Sequence, residues 1–272
     1  MEKKSGACGN GTVLWEIDRR GVATVTLNRP EVNNAYNGDM IGGLHEAMDL
    51  LGGMQGLRVV VLRGKGKHFQ AGADLAWINA EGKKSPEANI EASRATGEVV
   101  RRLNELPVPT IAMVQGGCFG GGTGVIAACD VVIAADNAIF AITEARWGLM
   151  ASIIFPQLVH AIGLRNVRRY ALTCERFGAE VAQRIGFVHE ICALDQLEAT
   201  AEKIVDALIM NAPNAVSTTK QLNMKVAKAF LSDEDFEFLV TKHALTRQTA
   251  EAAEGTMSFL EKRLPSWYVP KE

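Results

Sequence analysis

The chain has 272 residues, 47% of them hydrophobic and 22% charged, with a formal net charge of −2 at pH 7. A single core stops growing at about 250–300 residues, so one large domain with an appendage is expected. The near-neutral balance offers no global pull toward nucleic acid or an anionic membrane, and no run reaches the roughly 18–20 apolar residues of a membrane span.

In chain order, MEKKSGACGN (1–10) carries two lysines and no apolar stretch. It reads as a frayed, solvated tail rather than a secretory signal, which points to a cytoplasmic protein. TVLWEID (12–18) and VATVTLN (22–28) alternate apolar and polar residues around RRG, the pattern of a β-hairpin. Met40, Ile41, Leu44, Met48 and Leu51 then recur at helical spacing over 39–54. LRVVVLRG (57–64) is continuously apolar at its centre, as expected of a strand covered on both faces. A helix over about 87–106 follows, then a buried strand in PTIAMVQG (109–116) and short strands in DVVIAAD (130–136) and AIFAI (138–142). Beyond about 163 the texture turns helical, with patterned stretches at 194–211, 214–230, 233–252 and 253–263. Strand–helix units first and helices last predict an α/β fold with right-handed crossovers and a C-terminal helical appendage.

Five cysteines (Cys8, Cys118, Cys129, Cys174 and Cys192) form no CxxC pair, so neither a disulfide framework nor structural zinc is expected. Five histidines (His45, His68, His160, His189 and His243) include no HExxH pair, and no G-x-S-x-G elbow occurs. Metal and serine-hydrolase chemistry drop out.

VQGGCFGGGTGVIAACD (114–130) concentrates glycine in front of a small apolar segment. Gly122-x-Gly124-x-x-Ala127 matches a dinucleotide fingerprint, but the preceding strand ends several residues too early and the following helix is too short. A phosphate loop would need a G-K-[ST] ending, which is missing. The remaining reading is a donor nest, in which an unshielded N–H at a helix start meets a substrate oxygen that becomes anionic. HFQAGADLAWI (68–78) offers a second small-residue loop after a buried strand. Two such loops facing one carbonyl oxygen, or two tight packing turns, both fit the spacing.

AGADL (71–75), GGG with an apolar run and CD (120–130), and TEARWGL (143–149) together resemble the enoyl-CoA hydratase (crotonase) superfamily. NRPEVNNAYN (28–37), LTCERFGAEVAQRIGFVHEI (172–191) and MSFLEKR (257–263) extend the similarity over essentially 12–265. The resemblance implies an α/β crotonase-type spiral of β-β-α turns over 12–200, carrying the CoA and active sites. It also implies a C-terminal helical trimerisation region over 201–272 and a homotrimer or homohexamer. The implied substrate is an acyl-CoA, with CoA part of the substrate and no separate cofactor; the residue spacing, hydropathy and charge above speak against a metal, a membrane or a nucleic-acid partner. By position, the backbone N–H groups of Ala73 and Gly121 would be the oxyanion donors. Ala71, Gly72, Ala73 and Asp74 would follow the CoA moiety, and Phe259 and Lys262 would close over its adenine end, often from a neighbouring subunit. Arg63, Lys65 and Lys67 are candidates for CoA phosphates, or simply a solvated charge run.

Hydratases of the family use two glutamates. Glu144 matches the second, in an apolar setting of Ile142, Trp147, Leu149 and Met150 that should raise its pKa. The first aligns with Gly124, which reads as a vacancy where related enzymes keep an acid. Glycine at that position, and the run AlaSerIleIlePhePro (151–156) after Glu144, resemble hydratases acting on 3-methylglutaconyl-CoA and isohexenylglutaconyl-CoA, of leucine and acyclic-terpene degradation. The resemblance therefore implies hydration of a branched α,β-unsaturated acyl-CoA, with Glu144 as general acid/base. Double-bond isomerisation by a single proton shuttle is the alternative, and an RNA-binding or inactive family member is a further one. Arg146 is the nearest cation by sequence for the second carboxylate of a glutaconyl group, or else a structural arginine. Trp77, Ile78, Trp147 and Phe155 are candidates for the acyl pocket or for plain core.

Overall fold

Strand β2 (Val13–Ile17) and strand β3 (Val22–Leu27) form the expected hairpin, paired antiparallel from Val13↔Leu27 to Ile17↔Ala23. The structure, a computed structural model, describes residues 2–268. Ahead of the hairpin, Lys4–Cys8 is not a frayed tail but strand β1, antiparallel to β2 with Lys4 opposite Ile17 and Cys8 opposite Val13. An edge strand needs no apolar face, and lysines there discourage pairing with another chain, so hydrophobic patterning cannot reveal it.

Helix α1 (Gly38–Gly52) starts at the Asn37 cap, whose side chain accepts from the Met40 N–H, and leads to strand β4 (Val59–Gly64). Helices α2 (Leu75–Gly82) and α3 (Pro86–Glu105) cross to strand β5 (Thr110–Val114). Strand β6 (Gly117–Phe119), the short helix α4 (Gly121–Ala127), strand β7 (Val131–Ala135) and strand β8 (Ile139–Ala141) follow. Helix α5 (Phe155–Thr173), strand β9 (Phe177–Gly178), helix α6 (Ala179–Arg184) and strand β10 (Glu190–Cys192) complete the mixed part. The chain ends in helices α7 (Leu197–Ile209), α8 (Pro213–Val226), α9 (Asp233–Arg247) and α10 (Ala250–Leu260).

The large sheet runs β1-β2-β3-β4-β5-β7-β10, parallel from β3 onward, and β6-β8-β9 make a small second sheet. The apolar run of β4 is explained by burial on both faces. Val60 and Leu62 join the core built by α1 and α3, whereas Val59 and Val61 meet Leu197, Ala201 and Val205 of α7. Each such side chain contributes roughly 1.5–3 kcal/mol on burial. A division of the chain at residue 200 therefore cuts α7, which packs on the sheet. Helix α9 lies on α3, and α10 lies on α2 and on the turn at 144–147. The five cysteines are free thiols. Among the described residues no helix is long and apolar enough to cross a membrane.

Candidate active site

Ligand sites in parallel sheets form at the carboxyl ends of the strands, where the loops after β4 and β5 emerge here. The first loop is held by the segment 28–37. Asn33 and Asn34 both adopt left-handed backbone, a conformation asparagine tolerates better than most residues. The Asn33 carbonyl accepts from the Ala71 N–H at 2.9 Å, and the Asn34 amide donates to the carbonyls of Lys65 and His68, each at 2.9 Å. Tyr36 N–H donates to the Gly72 carbonyl at 2.8 Å, and Asp74 N–H to the Tyr36 carbonyl at 2.9 Å. These bonds straddle Ala73 and leave its N–H without an acceptor among the described residues.

The second loop enters α4 through Gly120, whose backbone (φ 50°, ψ −126°) is open essentially to glycine alone. Gly121 is the first residue of α4, so its N–H has no acceptor within the helix. The two loops touch: a methyl group on Gly72 would stand 3.1 Å from the Phe119 carbonyl oxygen. The Tyr36 ring lies against Gly121, where a methyl would meet its Cε1 at 2.7 Å. The two N–H groups thus stand on loops that touch, Ala73 beside one pocket and Gly121 beside another, with Tyr36 and Glu144 lining both.

Glu144 heads a 3-10 turn, Glu144–Trp147, after β8. Its Oε1 would lie 3.2 Å from a methyl on Gly120, which sets the carboxyl beside the Gly120–Gly121 turn. Oε2 is shielded from solvent and has no hydrogen-bond partner among the described residues. Burial pushes its pKa from the ordinary 4.5 up to about 7, opposed by the nearby backbone amides of Glu144 and Thr143. That value suits proton transfer in either direction near neutral pH.

The place of the first acid, at Gly124, is not a vacancy. A methyl group on Gly124 would stand 2.2 Å from Cγ2 and 2.4 Å from Cβ of Ile154, so this isoleucine already fills the space. Ile154 is buried and belongs to the Ser152–Ile154 turn, within the AlaSerIleIlePhePro run. Gly124 is small because an apolar side chain packs on its backbone.

A cavity of about 410 Å³ is lined by Ala71, Ala73, Asp74, Gly120, Glu144 and Phe259, among others. Gly72 lies behind it, against the second loop. The Asp74 carboxylate caps α2, accepting from the N–H groups of Ala76 and Trp77 at 3.1 and 3.3 Å, and reaches Arg29 at 3.4 Å. Phe259 meets Trp147 of its own chain edge-to-face, with ring centroids 5.0 Å apart, and Lys262 is exposed just after α10. Ile78 and Trp147 line the cavity, whereas Trp77 and Phe155 pack against the core. Arg63 turns away to Glu198, at 3.0 Å, and to the Thr26 hydroxyl, at 3.2 Å, while Lys65 and Lys67 are exposed. Arg146 is also exposed and donates to the Cys174 carbonyl at 3.2 Å, the structural role.

Three further wall residues escaped the sequence reading: Tyr36, His243 and Arg247. The last two lie on the buried stripe of α9 with Phe236, Val240 and Ala244. Two polar residues on an otherwise apolar helical stripe were the available signal. Beyond Glu144 a smaller void of about 30 Å³ is lined by Tyr36, His243 and apolar side chains including Val125, Ile153 and Ile154.

With this geometry in hand, residues 18–269 match the family model described as enoyl-CoA hydratase/isomerase. The mevalonyl-coenzyme A hydratase sidH of Aspergillus fumigatus is 31% identical, over 90% of this chain and 91% of that one. The trans-2-decenoyl-[acyl-carrier-protein] isomerase of Streptococcus mutans serotype c is 27% identical, over 94% of this chain and 97% of its own. The crystal structure of an enoyl-CoA hydratase from Shewanella pealeana superposes with a TM-score of 0.77 at 32% identity, covering 94% of this chain and 96% of that one.

Proposed function

The chain belongs to the enoyl-CoA hydratase/isomerase family, and from that premise we propose that it hydrates a branched α,β-unsaturated acyl-CoA of the 3-methylglutaconyl or isohexenylglutaconyl type. The thioester oxygen accepts from the N–H groups of Ala73 and Gly121. Preorganised donors of this kind stabilise the negative charge that develops on that oxygen as the enolate forms. Glu144, as carboxylate, takes a proton from water while the water oxygen bonds to Cβ and the double-bond electrons move toward the thioester. The same carboxyl group then returns the proton to Cα. One water is added, and the enzyme ends as it began.

The observation that carries this reading is the Glu144 carboxyl, set beside the Gly120–Gly121 turn with Oε2 unpartnered. A second reading rests on the filled space at Gly124: with one acid, the site can also carry a proton from Cγ to Cα, moving the double bond without water. A panel of crotonyl-, 3-enoyl-, 3-methylglutaconyl- and isohexenylglutaconyl-CoA, scored for hydration against migration, separates the two. Migration alone across the panel would overturn the hydratase reading. The same proposal includes assembly through the C-terminal helices into a trimer or hexamer, supported by the exposed Val226, Phe238 and Leu264. Light scattering that returns a monomer would contradict that part.

A further inference from the structure

Arg247 is 5% exposed, yet it forms no ion pair with any carboxylate among the described residues. Its Nη2 donates to the Asn89 carbonyl at 3.0 Å and to the Ser93 hydroxyl. Nε and Nη1 have no partner among the described residues. A buried cation is costly unless an anion meets it, and leaving guanidinium N–H groups unpaired adds to that cost. The side chain nevertheless stands in the wall of the cavity that holds Glu144 and the free N–H of Ala73.

Its neighbours hold it without an ion pair: Glu81, the carboxylate whose charge reaches it, is bound to Lys84 at 2.7 Å. Ser93 Oγ accepts from Arg247 and shares a hydrogen bond of 2.9 Å with Nδ1 of His243. Burial, with the Arg247 charge adding to it, pushes the His243 pKa down to about 3, so the ring is neutral. Tyr36 stands in the same cavity wall as Glu144 and Arg247. Arg247 does not pair with Glu144 and leaves its raised pKa intact. The other cation in the wall, Arg176, is exposed and lies over the Phe119 ring at 5.4 Å.

We propose that Arg247 receives a carboxylate at the far end of the acyl chain, so that the site selects CoA thioesters of dicarboxylic acids. The Cβ end of the acyl group meets Glu144, and its distal carboxylate reaches the unpartnered guanidinium edge in the same cavity wall. A charge-assisted hydrogen bond in a buried site discriminates against a neutral isostere by tenfold or more. This rests on the acyl-CoA reading above but not on which reaction follows.

The test therefore uses saturated thioesters, which neither hydrate nor isomerise: glutaryl-CoA against pentanoyl-CoA, with free CoA as a third ligand, all by calorimetry. The wild-type protein is expected to bind glutaryl-CoA at least tenfold more tightly than pentanoyl-CoA. Arg247→Met should abolish that preference, and Arg247→Lys should keep part of it. Equal affinities in the wild type overturn the proposal without any variant, so a variant that fails to fold does not shelter it. A preference unchanged in Arg247→Met also overturns it. An equal loss of free-CoA binding in that variant would move the anion to the CoA phosphates, which again contradicts it. Failure of the hydratase reading would appear only in turnover, and the two failures are distinct.

Discussion

Two glycines, four residues apart in one turn and helix, meet opposite environments. Gly120 lies beside the Glu144 carboxyl and bends the chain so that the next N–H is free. Gly124 is pressed against the buried side chain of Ile154. The same residue type thus serves polar chemistry at one position and apolar packing at the other. Only the neighbours tell them apart, and one wall of the cavity is left to a single acid.

The contrast is broken most severely by removing that acid. Glu144→Gln keeps the shape and is expected to lower kcat by about 10²–10⁴-fold, the usual contribution of a general acid/base. A loss of less than about tenfold in steady-state turnover would remove its assigned role.

Next in size is the pH dependence. Glu144 must be ionised to activate water, so kcat/KM should fall about tenfold per pH unit below about 7 and level off above it. Stability runs the other way. A carboxyl raised by burial from 4.5 to about 7 stabilises the fold fully below 4.5 and loses that contribution as pH rises through about 7. Between pH 4.5 and 8, denaturant titrations should therefore show Glu144→Gln gaining on the wild type by up to about 3 kcal/mol. A stability difference flat in pH would mean the carboxyl is not raised.

The smallest effect probes the other wall. Gly124→Glu is expected to destabilise the protein by about 1–3 kcal/mol, because its Cβ must displace Ile154, and not to raise hydration of crotonyl-CoA. Combining it with Ile154→Ala should recover part of the stability loss. Faster crotonyl-CoA hydration in the single variant would restore the idea of an empty acid site.

Legibility in the sequence followed range. The hairpin, α1 and β4 were readable because apolar periodicity is local, and β4 packs on both faces as its continuous run implied. Gly121 and Glu144 were readable because each sits in a short motif, and the structure brings both to the same cavity region. Strand β1 was not, since an exposed edge strand needs no apolar face. Nor was the filling of Gly124, which depends on a side chain thirty residues later, beyond any local pattern. Arg247 escaped for the same reason: the nearest cation to Glu144 in the chain is Arg146, but the one in the cavity wall arrives from α9.

The central claim is that one carboxyl, facing an apolar wall, adds water to an acyl-CoA. Its most direct test is turnover of 3-methylglutaconyl-CoA in ¹⁸O-labelled water, followed by mass analysis of the product. The account predicts one ¹⁸O at Cβ with the wild-type protein. A product with a shifted double bond and no label would contradict it.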